Sequence, residues 1–246
     1  MIFKGAAVHL NKTIFFPEKY PTKEYYPFNL QTFHQSQSIE FSSLVTFFIG
    51  ENGTGKSTLL EAIAHKCGIH IWKSVQARRV EMNPYEQDLY KYISVEWNNG
   101  SVPGSFFSSE IFRDFTRYVD EWAASDRTVL KYFGGKSLMT QSHGESLMSF
   151  FKARYRIKGL YLLDEPETAL SPKSQLELLR VISDMSNAGH AQFIIATHSP
   201  ILMACPEAKI YSFNHVPVKQ VDYEETEYYR IYKDFMDDRE KFLKER

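Results

Sequence analysis

Residues 39 to 66 read IEFSSLVTFFI-GENGTGKST-LLEAIAHK, and Gly50-Glu51-Asn52-Gly53-Thr54-Gly55-Lys56-Ser57-Thr58 within them fits G-x-x-x-x-G-K-[ST]. The apolar run at 39 to 49 predicts one buried strand that stops at Gly50, and the apolar spacing of 57 to 66 predicts a helix. Strand, glycine loop and helix form the context a phosphate-binding loop requires. Glycine lets successive N–H groups turn inward around phosphate oxygens, and the helix N-terminus adds its positive end. Asn52, Gly53, Thr54, Gly55, Lys56, Ser57 and Thr58 are then the nucleotide-binding residues: Lys56 reaches the β- and γ-phosphates, and the Ser57 hydroxyl ligates Mg²⁺.

Downstream, Leu160-Tyr161-Leu162-Leu163-Asp164-Glu165 is an apolar strand whose end delivers two adjacent carboxylates, which are costly side by side without a cation. Asp164 is expected to hold Mg²⁺, and Glu165 to polarise a water for in-line attack on a γ-phosphate. His198, in Ala196-Thr197-His198-Ser199-Pro200, follows another apolar strand and is placed to hydrogen-bond that phosphate. Ser142-His143-Gly144-Glu145-Ser146 precedes a helical stretch, and Ser142 with Glu145 fits a capping box.

The remaining chain predicts strands at 159 to 163, 192 to 196 and 210 to 213, with helices at 144 to 155 and 173 to 187. Residues 69 to 104 predict an antiparallel β insertion, with a hairpin-type turn at Asn98-Asn99-Gly100. The aromatic spacing of 106 to 131 predicts helix, and residues 106 to 155 form a small helical lobe standing off the core, with Gly134-Gly135 as a turn. The charged tail at 222 to 246 predicts a solvated terminal helix. The expected architecture is a single α/β domain over 1 to 246, with a mainly parallel sheet that puts ligands at the carboxyl ends of its strands.

Composition narrows the classes. A formal net charge of -1 excludes the strong positive field of an obligate nucleic-acid binder. The two cysteines, Cys67 and Cys205, are far apart and outside any Cys/His cluster, against a disulfide scaffold or zinc site. No stretch approaches the roughly 18 apolar residues that span a bilayer, and Met1 to Lys12 lacks a signal-peptide pattern, so a cytoplasmic protein is expected. No nuclease constellation is visible, and no heptads separate the P-loop from the acidic strand.

Taken in order, the P-loop, SHGES, LLDEPETALSP and ATHSP resemble the ABC-type ATPases over about residues 40 to 213. More closely they are similar to stand-alone bacterial ATPases labelled AAA-family, on the branch of the SMC- and RecF-type proteins. The resemblance implies the head domain of a P-loop NTPase that binds ATP with Mg²⁺, hydrolyses it, and works as an ATP-dependent homodimer on double-stranded DNA or a protein. It makes Ser142, Gly144 and Glu145 the signature that closes on the other subunit's γ-phosphate, and Ala169-Leu170-Ser171-Pro172 the D-loop at the seam. The signature reads SHGES where transporters have LSGGQ. Glu110, in FFSSEIF, stands as the candidate for the usual metal-contacting glutamine, and Tyr25, Tyr26 or Phe28 as the adenine-stacking aromatic. The alternative is the nucleotide-binding subunit of a membrane transporter.

Overall fold

The computed structural model describes residues 8–71, 83–133, 135, 137 and 143–244. Its strands are β1 (Leu10–Phe15), β2 (Ser38–Glu40), β3 (Val45–Ile49), β4 (Ile93–Trp97), β5 (Gly104–Ser108), β6 (Gly159–Asp164), β7 (Ala191–Ala196), β8 (Lys209–Ser212) and β9 (Lys219–Val221). Its helices are α1 (Gln31–Gln35), α2 (Lys56–Lys66), α3 (Ser109–Ser125), α4 (His143–Arg154), α5 (Pro172–Asn187), α6 (Pro200–Met203), α7 (Glu227–Asp237) and α8 (Lys241–Lys244).

Neighbouring side chains on a strand point to opposite faces, so two adjacent buried aromatics require a strand covered on both sides. Phe47 and Phe48 in β3, and Phe106 and Phe107 in β5, are such pairs. Phe47 and Phe107 join one hydrophobic cluster with Phe112, Val119, Phe151 and Leu178 of α3, α4 and α5. Phe48 and Phe106 join the other, with Leu59, Leu60 and Ile63 of α2 and Leu10, Phe15 and Ile39 of the smaller sheet. Each fully buried Leu, Ile or Phe contributes roughly 1.5–3 kcal/mol through apolar area removed from water, so the two clusters hold the layers together.

Among the described residues the larger sheet runs β5-β6-β7-β3-β8-β9, and the smaller runs β2-β1-β4. β5, β6, β7, β3 and β8 are mutually parallel, and β9 closes one edge antiparallel to β8. The register levels the strand ends: Ser108 lies opposite Asp164, Asp164 opposite Ala196, and Ala196 opposite Phe48. Every parallel strand therefore delivers its next residues to one edge. Gln192, fully buried on β7, ties the two sheets together: its Oε1 accepts from the N–H groups of His9 and Leu10 at 2.8 Å each, and its Nε2 donates to Leu10 O at 2.9 Å. A buried amide with those bonds made costs little, whereas leaving them unmade would cost a kcal/mol or more each.

Several expectations need correction. The run 39 to 49 is two elements, since β2 pairs antiparallel with β1 while β3 joins the parallel sheet. The turn at Asn98-Asn99-Gly100 does not close a hairpin: β4 pairs with β1, and β5 pairs parallel with β6 in the other sheet. Gly104 helps to explain the switch, because a Cβ there would stand 2.6 Å from Leu160 O, so only glycine allows that close parallel approach. Phe106 to Ser108 are strand, with the helix beginning at Ser109. The helices of 106 to 155 lie against the sheet, their apolar faces sharing one cluster with Tyr161 and Phe193, rather than standing off it. β1, which alternates Leu10, Thr13 and Phe15 inward, went unread. Gly134 lies outside the described residues.

Candidate active site

The level strand ends meet at the P-loop. Gly50, Gly53 and Gly55 have φ of 142°, 81° and 99°, backbone that favours glycine, and Gly55 starts α2 in the left-handed region. A Cβ on Gly55 would stand 2.6 Å from Phe33 and 3.0 Å from Leu30, so α1 backs the loop directly. Asn214, two residues beyond β8, accepts from Glu51 N–H at 2.7 Å and anchors the loop from the far strand.

Lys56 is buried at 4% exposure, and its ammonium donates to Gly50 O at 2.6 Å and Glu51 O at 3.0 Å. Burial pulls its pKa down, while Glu165, Asp164, Glu51 and Glu167 oppose that shift. A phosphate would offer the ammonium stronger, charged acceptors than these carbonyls. Ser57 donates to Asp164 Oδ1 at 2.8 Å, so hydroxyl and carboxylate form one pair of hard oxygen donors suited to a cation such as Mg²⁺.

Burial pushes the Asp164 carboxyl up to about 7, against the lowering hydrogen bond from Ser57. The unfolded chain ionises this acid near its ordinary value and the folded chain only near 7, so Asp164 makes stability fall as pH rises between those values. Above the folded value the loss is complete. Asp164→Asn, which carries no charge to bury, is expected to raise the melting temperature of nucleotide-free protein more at about pH 8 than at about pH 5. Circular-dichroism melts at the two pH values check this, and an equal gain at both would contradict it.

Glu165 takes φ 45° and ψ 54°, an uncommon conformation for a non-glycine residue. Its surroundings enforce it: its N–H donates to Ala196 O at 2.9 Å, and Ser109 and Thr168 hydroxyls donate to its carbonyl at 2.7 and 3.0 Å. Backbone held in a sparsely populated region clusters at functional positions. Here it brings Glu165 Oε1 to 3.2 Å from His198 Nε2, within ion-pair reach though not aligned as a hydrogen bond. His198 N–H donates to Glu167 Oε1 at 2.7 Å, and burial raises the Glu167 carboxyl above its ordinary range. The His198 ring is pulled down, first by burial and then by Lys56.

Residues 147–204 match the family model described as AAA domain, putative AbiEii toxin, Type IV TA system, and residues 28–67 match one described as AAA domain. The chain is 26% identical over 170 residues to the thiamine import ATP-binding protein ThiQ of Salmonella choleraesuis (strain SC-B67), spanning 61% of this chain and 68% of that one. A putative metal-chelate type ABC transporter in an inward-facing conformation superposes with a TM-score of 0.51 at 16% identity, over 89% of this chain and 84% of that one. The chain is thus similar in two segments to AAA-domain family models, and it shares its fold with an ABC transporter chain. An SMC head domain from Thermotoga maritima superposes with a TM-score of 0.48 at 18% identity, over 87% of this chain and 98% of that one.

Lys56, Ser57, Asp164, Glu165 and His198 converge at one sheet edge. Asn52 and Gly53 are exposed at the loop tip, and Thr54 Oγ1 donates to Glu51 O at 2.9 Å. Thr58 is hydrogen-bonded through its hydroxyl to the Tyr26 hydroxyl. Phe28 is fully buried and cannot stack on adenine, which leaves Tyr26, tied to Thr58, and the exposed Tyr25, whose ring packs 5.9 Å from Tyr85. The backbone of Glu110 falls in the first turn of α3, directly after β5 and therefore beside Asp164; its side chain lies outside what the structure describes. Ser142 also lies outside the described residues. Gly144 is placed in the first turn of α4, where a Cβ would meet Ala169 O at 3.7 Å, so the start of α4 abuts the segment 169–172; Glu145 is exposed beside it.

Asn214, Ser109 and Tyr228 went unread. Asn214 carries one usable signal, a polar residue just past a parallel strand's carboxyl end. Tyr228 carries none: it opens the charged tail, of which α7 is mostly exposed, yet its hydroxyl donates to Gly50 O at 2.9 Å.

Proposed function

We propose that the chain binds ATP with Mg²⁺, hydrolyses it, and works as a head-to-tail dimer switch acting on a protein or on double-stranded DNA. The observation that carries this reading is the convergence of the Lys56 ammonium, the Ser57–Asp164 oxygen pair and the Glu165–His198 pair at the P-loop.

Lys56 and the loop N–H groups bind and orient the phosphates, with the ammonium exchanging its carbonyl partners for charged oxygens. Ser57 and Asp164 would hold Mg²⁺, which when bound neutralises charge developing on the phosphate oxygens. Glu165, fixed by its strained backbone, accepts the proton of the attacking water. His198 stands beside that carboxylate, where it can hydrogen-bond the terminal phosphate and register its loss. In the dimer, the signature that begins at Ser142 closes on the γ-phosphate held by the second copy, so ATP favours the closed pair and hydrolysis releases it.

Subunit mixing tests the trans arrangement. Lys56→Ala and Ser142→Arg proteins should each be inactive alone, while an equal mixture contains heterodimers with one intact composite site and recovers part of the phosphate release. No recovery on mixing would mean that each chain works by itself.

A second reading, the nucleotide-binding subunit of a transporter, is favoured by the similarity to ThiQ and to the metal-chelate type ABC transporter. The SHGES signature and the absence of a clear glutamine in the sequence weigh against it. No helix among the described residues is long and apolar enough to cross a membrane.

A further inference from the structure

Tyr228 is held at the site by its own helix start. Asp222 and Glu225 form a capping box, Thr226 caps α7 by accepting from Tyr229 N–H, and the Tyr223 hydroxyl donates to Pro200 O at 3.0 Å. These contacts set the first turn of α7 against α6, the helix that follows His198 by two residues. The Tyr228 ring then meets His198 edge-on with centroids 5.4 Å apart.

The Tyr228 hydroxyl lies 2.9 Å from Gly50 O and 2.7 Å from His198 Nδ1. A phenol has one proton to give. Gly50 O can only accept, so that proton goes to the carbonyl, and the phenol oxygen accepts in turn from Nδ1–H. The opposite assignment would set two oxygen acceptors 2.9 Å apart with no hydrogen between them. Burial, with Glu51, raises the Tyr228 pKa to about 12, so the phenol keeps its proton at neutral pH. With Nδ1 donating to the phenol, Nε2 is the ring nitrogen left to face the site, beside Glu165. Nε2 is buried and makes no aligned hydrogen bond to any described residue, and its lone pair can accept the proton of a water.

We infer that Tyr228 is the positioning residue of His198: it fixes the Nδ1–H form of the ring, aims the Nε2 lone pair at the reacting water, and ties that orientation to the first carbonyl of the P-loop. This rests on reading the cluster as a nucleotide-hydrolysing site. Tyr228 acts through His198 and touches no substrate. Because Lys56 donates to the same Gly50 carbonyl, the phosphate-binding lysine and the histidine share one acceptor, and the C-terminal helix thereby becomes part of the site.

Two readouts test it. In ¹⁵N-edited spectra of the imidazoles, with His198→Gln identifying the resonance, the wild-type ring should show Nδ1 protonated and Nε2 unprotonated at neutral pH. Tyr228→Phe should move it toward the Nε2–H form that an unrestrained imidazole prefers. In kinetics, Tyr228→Phe should lower kcat about 10-fold with KM for ATP little changed, as expected for one hydrogen bond that orients a reacting group. The same substitution in a His198→Gln background should have almost no further effect. A wild-type ring protonated on Nε2, or an equal loss in both backgrounds, would overturn the inference. If wild-type protein hydrolyses no ATP, the catalytic reading fails, while the spectra still decide whether Tyr228 sets the tautomer.

Discussion

Replacing Glu165 with glutamine is expected to slow ATP hydrolysis about 10²–10⁴-fold, the contribution of a positioned general base, while nucleotide binding is retained. Glutamine keeps the shape of the side chain and removes only its capacity to take a proton. The φ of 45° is imposed by Ala196 O and by the Ser109 and Thr168 hydroxyls, all of which contact the backbone of residue 165, so the substitution leaves those restraints in place. The carboxylate facing His198 Nε2 is what disappears. Because ATP is then held without being consumed, the variant should accumulate as a dimer in saturating Mg-ATP, read by light scattering after size exclusion. A monomeric Glu165→Gln protein under those conditions would contradict the dimer switch.

Lys56→Ala should weaken ATP binding by about 10²-fold or more, since the ammonium makes charge-assisted hydrogen bonds to phosphate worth roughly 1.5–3 kcal/mol each. The same change acts on the loop itself. Gly50 O keeps the Tyr228 hydroxyl as a donor, but Glu51 O keeps only weaker local contacts from Thr54. Removing the buried ammonium also relieves the desolvation that depresses its pKa, so the folded state should survive the substitution. Calorimetric titration with a non-hydrolysable ATP analogue separates lost affinity from lost fold, and wild-type affinity in Lys56→Ala would contradict the role given to Lys56.

The parts of this site that the sequence made legible are those whose chemistry is local. Gly50 to Thr58, Asp164-Glu165 and His198 each sit at the end of an apolar run, and a run that stops at a polar or glycine residue can be read without knowing its neighbours. The partners that complete the site are set by packing across the sheet. Asn214 meets Glu51 from 163 positions away and Tyr228 meets Gly50 from 178, distances at which spacing carries no information. The same limit explains the misread strands. β4 followed by Asn98-Asn99-Gly100 has the local grammar of a hairpin, but β4 finds β1 and β5 finds β6, because the Phe106–Phe107 pair needs a strand covered on both faces.

Steady-state phosphate release from ATP, measured on the wild-type chain with Mg²⁺ and with a chelator, tests whether these residues form one Mg-dependent ATP-hydrolysing site. Release is expected with Mg²⁺, none with chelator, and near-background rates in Glu165→Gln. No release from the wild-type chain, or release that Glu165→Gln leaves unchanged, would contradict it.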